Sequence, residues 1–418
     1  MMRARRLLAL AAATSVAAAG LTVSAPTAAQ AQECNPRIAQ LVKDTPPALQ
    51  RLNARYAWGV ATGRGVVVAV VDSGVDRHNT HLRDALVPGR SFVPGVPADG
   101  DAAGHGTAIA GEIAARQVPG SGVVGLAPDA RIMPVRVFFG ADDQSRAAGV
   151  GPRPDRMAEG IRWAADHGAQ VINVSMSTPT DDARLRDAVR HATDRGALVV
   201  ASAGNRTTAE DKSDGVRYPG GYPEAVAVSA ADLGDTVTDD SIHGPHVDLS
   251  APGTNILTTY YGAGDCLISA EGESTSFATA YVSASAALLA QQFPHATPAD
   301  WKHRLEVTAS RDRRNQRDDR AGWGLVQPYE ALTAVTDDSL AGPVAPGRSP
   351  HAMAAPRAQP LDLRKVSDPL APQRTAALWW SLGGLSALLA LVLGGMLAQP
   401  RRRRSAGRRR AVAAGQRP

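Results

Sequence analysis

The sequence predicts an α/β fold, an open parallel sheet covered by helices on both faces, with a short N-terminal extension before it and a single membrane-spanning helix after it. Through the middle of the chain, short apolar runs ending in a polar residue alternate with helix-patterned stretches, as buried parallel strands and their crossover helices do. Near the C-terminus, residues 376–398 form a run of 23 without a charge, about 34 Å as a helix and enough to cross a bilayer core. The formal charge of +5 is concentrated at the two ends. Residues 1–31 hold three Arg and no acid, residues 399–418 hold eight Arg and no acid, and removing these eleven leaves −6 for residues 32–398. The basicity therefore gives no support to nucleic-acid binding.

At 418 residues the chain has ample material for a core. Arg3, Arg5 and Arg6, an apolar run over residues 7–23 and the small-x-small sequence Ala29-Gln30-Ala31 read as a secretory signal over residues 1–31. The alternative, an N-terminal membrane anchor, is disfavoured by how short and Ala-rich the run is. Residues 32–59 form a Pro-containing extension too small to fold by itself. Its Cys34 and the later Cys266 are the only cysteines. Outside a membrane such a pair reads as a disulfide, worth about 4–5 kcal/mol in the chain-entropy model. Two free thiols or an intermolecular bond are the other readings.

The main domain spans residues 60–335. Strands are expected over residues 66–71, 132–138, 170–174, 198–201 and 225–230, and helices over 104–116, 157–167, 182–195 and 275–292. A Pro- and Ala-rich tether follows over residues 336–375, then the span, then a basic tail over 399–418. Trp379 and Trp380 suit the outer interface, and Arg401 to Arg404 with Arg408 to Arg410 place the tail in the cytoplasm. A buried core helix is the competing reading of the span, and seven adjacent Arg argue against it.

In such a sheet, polar residues at the strands' carboxyl ends meet in one crevice. Asp72 ends the first strand, His105 opens the next helix, Asn205 follows a later strand and Ser276 opens a late helix. A serine hydroxyl attacking a carbonyl needs a base to take its proton, and the base needs a carboxylate to fix its tautomer. An amide at Asn205 can donate to the developing oxyanion.

The stretches Val70-Val71-Asp72-Ser73-Gly74-Val75-Asp76, Gly104-His105-Gly106-Thr107, Ala203-Gly204-Asn205 and Thr275-Ser276-Phe277-Ala278 resemble, in order, the signature segments of the subtilisin-like serine proteases. The resemblance implies a subtilisin-like fold, catalysis by Asp72, His105 and Ser276, and an oxyanion donor at Asn205. It implies substrate contacts from Ser175, Met176, Ser177, Ser202, Ala203 and Gly204, and no cofactor or metal. The segment 171–175 resembles the substrate-binding strand, and 249–253 the loop before the nucleophile. The whole arrangement, from export signal to basic tail, resembles the membrane-anchored mycosins of type VII secretion. That likeness implies a protein or peptide substrate, an extension wrapped on the domain and association with a secretion complex, in which a structural role with a dispensable triad is the second reading. Ser274 and Ala280 stand where the family usually has Gly and Pro, and Ser177 and Thr178 where it has Gly, which implies a crowded elbow and a narrowed pocket.

Asp76, His78 and His81 suggest a metal site only weakly, because no coordination set closes. Asp142-Asp143 and Asp239-Asp240 read as solvated loop carboxylates with weak calcium binding as the alternative, and Gly120 to Gly125 as a turn.

Overall fold

The computed structural model describes residues 34–35, 39–209, 211–268, 272–336, 340–348 and 370–397. The signal region 1–31, most of the tether and the basic tail lie outside the described residues. Residues 1–350 and 351–418 form two separate units.

In the first unit the chain runs α1 (Pro47–Arg51), α2 (Ala54–Trp58), β1 (Val67–Asp72), β2 (Arg90–Ser91), α3 (His105–Ala114), β3 (Arg131–Arg136), α4 (Asp143–Ala147), α5 (Pro154–Asp166), β4 (Val171–Val174), α6 (Ala183–Asp194) and β5 (Leu198–Ser202). It continues with β6 (Val226–Ala231), β7 (Leu249–Pro252), β8 (Ile256–Thr259), β9 (Asp265–Ile268), α7 (Thr275–Gln292), α8 (Pro298–Thr308) and α9 (Pro328–Thr333). The seven-stranded sheet has the order β2-β3-β1-β4-β5-β6-β7, and every pair is parallel. Successive residues of a strand point to opposite faces. Val68, Val70, Val171, Leu198 and Val200 accordingly face α3 and α7, whereas Ala69, Val71, Ile172, Val174 and Val199 face α5 and α6. Residues 275–290 of α7 are all buried. An apolar helix with no polar stripe is one enclosed on all sides.

Two readings change. Residues 249–252, expected as a loop, form strand β7, paired in register with residues 228–231 of β6. At four residues and ending in Pro, it carries too little periodicity to be recognised, and Pro is tolerated at the sheet's edge. Asp142 is exposed, as expected of a solvated carboxylate, but it ends the loop as the cap of α4, accepting from the Ser145 N–H at 2.9 Å and the Ser145 hydroxyl at 2.7 Å.

The extension is woven into the domain. Leu49, Leu52, Ala54 and Ala57 of α1 and α2 belong to the same core as α7. Gln40 bridges to Gly264, and its carbonyl accepts from the Asp265 N–H at 2.9 Å. Asp265, fully buried, accepts from the Val42 N–H at 2.9 Å and the Ser121 hydroxyl at 2.6 Å, and faces His81 Nε2 at 2.9 Å. His81 is thus a buried partner of a carboxylate, and Asp76 pairs with His78 at 2.9 Å. Cys34 and Cys266 form a disulfide, Cα to Cα 5.0 Å.

The second unit holds α10 (Ala371–Leu397), a helix of 27 residues with mean hydropathy 1.9 over its most apolar stretch, long enough to span a bilayer.

Candidate active site

β1 delivers Asp72, fully buried, to the sheet's carboxyl edge. Its Oδ1 accepts from the Ser73 N–H at 2.7 Å and lies 2.8 Å from His105 Nδ1, which assigns the proton on that nitrogen to the hydrogen bond. His105 is the first residue of α3, and α3 approaches β1 so closely that only glycine fits at the next position. A Cβ on Gly106 would sit 2.1 Å from the Gly74 carbonyl oxygen and 3.2 Å from the Asp72 Cβ. Burial alone would lower the His105 imidazole. The charge and hydrogen bond of Asp72, with the charge of Asp101 behind, more than offset this and raise it above the ordinary 6.5.

Asp101 was not singled out in the sequence, where it looks like one more loop acid. It is buried and accepts from the Ser73 hydroxyl (2.9 Å), the Ala103 and Gly104 N–H groups (3.1 and 2.9 Å), and the Thr107 N–H and hydroxyl (2.9 and 2.7 Å). These bonds fix the turn into α3. Burial pushes its carboxyl upward, the bonds from Thr107 and Ser73 opposing. Arg136 closes the same loop from outside, donating to the carbonyls of Ser73 and Gly100.

Ser276 opens α7, 6% exposed, and the ring of the next residue, Phe277, lies 5.9 Å from the His105 ring. The Ser276 hydroxyl donates to the Ser175 carbonyl at 3.1 Å, and among the described residues no hydrogen bond joins it to His105. Ser175 answers with its own hydroxyl, donating to the Ser276 carbonyl at 2.9 Å. Behind it Asn173 Nδ2 donates to Ser175 Oγ at 2.9 Å, and Ser283 donates to Asn173 Oδ1 at 2.8 Å. The first turn of α7 is therefore tied to the end of β4.

Asn205 is oriented by Thr275, whose place in a signature segment gives no hint of this role. Its Oδ1 accepts from the Thr275 N–H at 2.8 Å and the Thr275 hydroxyl at 2.9 Å. Because both partners donate, the carbonyl end of the amide is the end they hold, and Nδ2 is left as the donor. The relay extends back: Gly204 N–H to Ser202 Oγ at 3.1 Å, and Ser202 Oγ to Thr275 Oγ1 at 2.6 Å. Gly204, at φ +105, makes the turn that aims Asn205.

Of the six expected substrate contacts, Ser175 is buried in the network just described. Ser202 and Ala203 are buried, the Ala203 carbonyl accepting from His246 Nε2 at 3.2 Å. Met176 and Ser177 are half-buried and continue β4 toward the surface. The departures at the elbow fit without distortion. Ser274 has φ −133, an extended conformation open to any residue, and Ala280 is buried within an α7 that runs unbroken from Thr275 to Gln292.

Comparison with known proteins agrees with this geometry. The subtilase family profile matches residues 63–324. Subtilisin BL of Lederbergia lenta is 38% identical over 250 residues, covering 60% of this chain and 85% of its own. The crystal structure of MycP1 with the N-terminal propeptide removed superposes with a TM-score of 0.63 at 31% identity, covering 71% of this chain and 100% of that one. The MycP3 protease from the type VII (ESX-3) secretion system gives 0.62 at 31% identity over 73% of this chain and 93% of that one.

Proposed function

Because this chain belongs to the subtilase family and is a subtilisin-type serine protease, we propose that it hydrolyses peptide bonds outside the membrane through Asp72, His105 and Ser276. Asn205 serves the oxyanion, and α10 holds the domain at the membrane surface. The observation that carries this reading is the 2.8 Å contact of His105 Nδ1 with Asp72 Oδ1 at the sheet edge, beside the start of α7.

The Ser276 hydroxyl turns about χ1 from the Ser175 carbonyl toward His105 Nε2 and adds to the substrate carbonyl carbon as its proton passes to Nε2. Asp72 holds the Nδ1–H and balances the imidazolium. The oxygen that gains charge is met by Asn205 Nδ2 and by the Ser276 N–H, one of the unpaired donors of a helix start. Collapse expels the amine, which takes the proton from Nε2, and water repeats the sequence to release the acid. Likeness to the MycP3 protease from the type VII (ESX-3) secretion system supports work alongside such a system, and the Arg runs that follow the span support a catalytic domain outside and a C-terminus in the cytoplasm.

The test is covalent labelling of the purified protein by a fluorophosphonate. Labelling that disappears in Ser276→Ala supports the triad, and labelling that persists there refutes it. Secretion measured in the same variant separates catalysis from a scaffold role, because export that survives the loss of cleavage assigns the secretion function to the fold.

A further inference from the structure

At the catalytic edge two segments leave the sheet side by side, residues 175–178 from β4 and 202–205 from β5. On the catalytic reading above, a peptide with its carbonyl at Ser276 and the oxygen at Asn205 would lay the side chain on its acyl side in the slot between the two segments. Packed where these segments meet is Arg217, 3% exposed. A Cβ built on Gly204 would lie 3.4 Å from the Arg217 Cγ, 3.0 Å from the Ser177 Oγ and 3.1 Å from the Ile242 Cδ1, so the stem of Arg217 and the Ser177 hydroxyl close on one point directly behind Asn205.

The guanidinium does not reach into the slot to offer charge. It donates to the carbonyls of Gly215 and Val216 at 3.3 Å each, of Asp211 at 3.0 Å and of Ser213 at 2.8 Å, and pairs with Asp211 Oδ2 at 3.5 Å. The next residue, Tyr218, exchanges backbone hydrogen bonds of 2.8 Å in both directions with Thr178. The stem is therefore locked at both ends, its head saturated by its own loop and its backbone stitched to the opposite wall.

We propose that Arg217 determines specificity: its buried stem, with Ser177, restricts the residue before the scissile bond to Gly, Ala or Ser. The proposal rests on the catalytic reading above. A pocket short of a few methylene-sized volumes discriminates by roughly ten- to two-hundred-fold.

The experiment compares kcat/KM for peptides that differ only in that residue, Ala, Leu, Phe or Asp, using the full chain in detergent. Wild type favours Ala over Phe at least about tenfold. Arg217→Ala shrinks that ratio by a similar factor, whereas Arg217→Met, which keeps a stem but loses the loop's hydrogen bonds, retains it. Ser177→Gly relaxes the ratio from the other wall and reads the slot should Arg217→Ala fail to fold. The proposal is overturned if wild type cleaves after Phe as well as after Ala, if it prefers Asp, or if the Ala and Met variants shift the ratio equally. Should wild type cleave no peptide, the catalytic reading is what fails. Binding of the same peptides to Ser276→Ala then reads the slot: Ala-selective binding relaxed by Arg217→Ala supports the proposal, and equal affinity overturns it.

Discussion

Thr275→Val tests how Asn205, the proposed oxyanion donor, is held. Valine keeps the shape and removes the hydroxyl that donates to Asn205 Oδ1 at 2.9 Å, leaving only the Thr275 N–H at 2.8 Å. It also deprives Ser202 Oγ of the acceptor 2.6 Å away. One neutral hydrogen bond is worth about 0.5–1.5 kcal/mol, so a loss felt only as charge develops lowers kcat by roughly two- to thirteen-fold. The KM should stay near wild type, because the ground-state carbonyl does not need the fully aligned amide. Asn205→Ala sets the ceiling at about 10²–10³-fold, a range for which a subtilisin is itself the type example. Steady-state kinetics on both variants and their combination complete a cycle. In the Asn205→Ala background Thr275→Val should cost nothing further. Effects that add in full, or a Thr275→Val change confined to KM, refute the claim that Thr275 acts through Asn205.

Other expectations follow from the same geometry. His105 must be neutral to accept a proton, and its value is raised above 6.5 by Asp72 and Asp101 against the pull of burial, so kcat/KM climbs with pH along a limb above that point. Asp101→Asn removes one of the raising charges and should move the limb to lower pH, whatever it does to the plateau; an unmoved limb refutes its electrostatic role. Glu112, 3% exposed in α3, has neither carboxylate oxygen hydrogen-bonded among the described residues, and burial raises it well above 4.5. The folded state thus keeps a proton that the unfolded chain gives up, and stability falls as pH rises from 4.5 through the folded value. Glu112→Met should stabilise by about 1–3 kcal/mol near pH 8 and by less near pH 5, read as melting midpoints; a gain that does not grow with pH counts against it. Cys34→Ser, which opens the Cys34–Cys266 bond, should lower the melting midpoint while leaving kcat nearly unchanged, since Asp265 and Gln40 still pin the extension. A collapse of kcat would place the bond in the catalytic machinery.

Much of the site is legible in the sequence, for a physical reason. Asp72 and Asn205 follow unbroken apolar runs, and His105 and Ser276 open helices, so an alternating strand and helix pattern alone carries them to one edge. The residues that aim them are less visible. Asp101 and Thr275 act through hydrogen bonds to atoms distant in the chain, and their types are those of any polar loop or helix cap. Arg217 is harder still: arginine reads as surface, and only its burial against Gly204 reveals a role. Helices α1 and α2, five residues each, are too short for periodicity to announce them, yet they complete the core. The orientation of the Ser276 hydroxyl is a rotamer choice that no sequence pattern encodes.

The proposed nucleophile, Ser276, arrives late in the chain. Between Asp72 and Ser276 lie six of the seven strands' worth of pairing or their connections, and α7 is also the rod around which strands β4 to β7 and α3 gather. With the outward orientation proposed above, a chain threaded from its N-terminus would carry carboxylate and imidazole across first, with no hydroxyl to activate and no central rod to fold upon. On that reading cutting power is born only when nearly the whole domain has been delivered, which would tie the birth of the blade to the far side of the barrier and spare the compartment that made it.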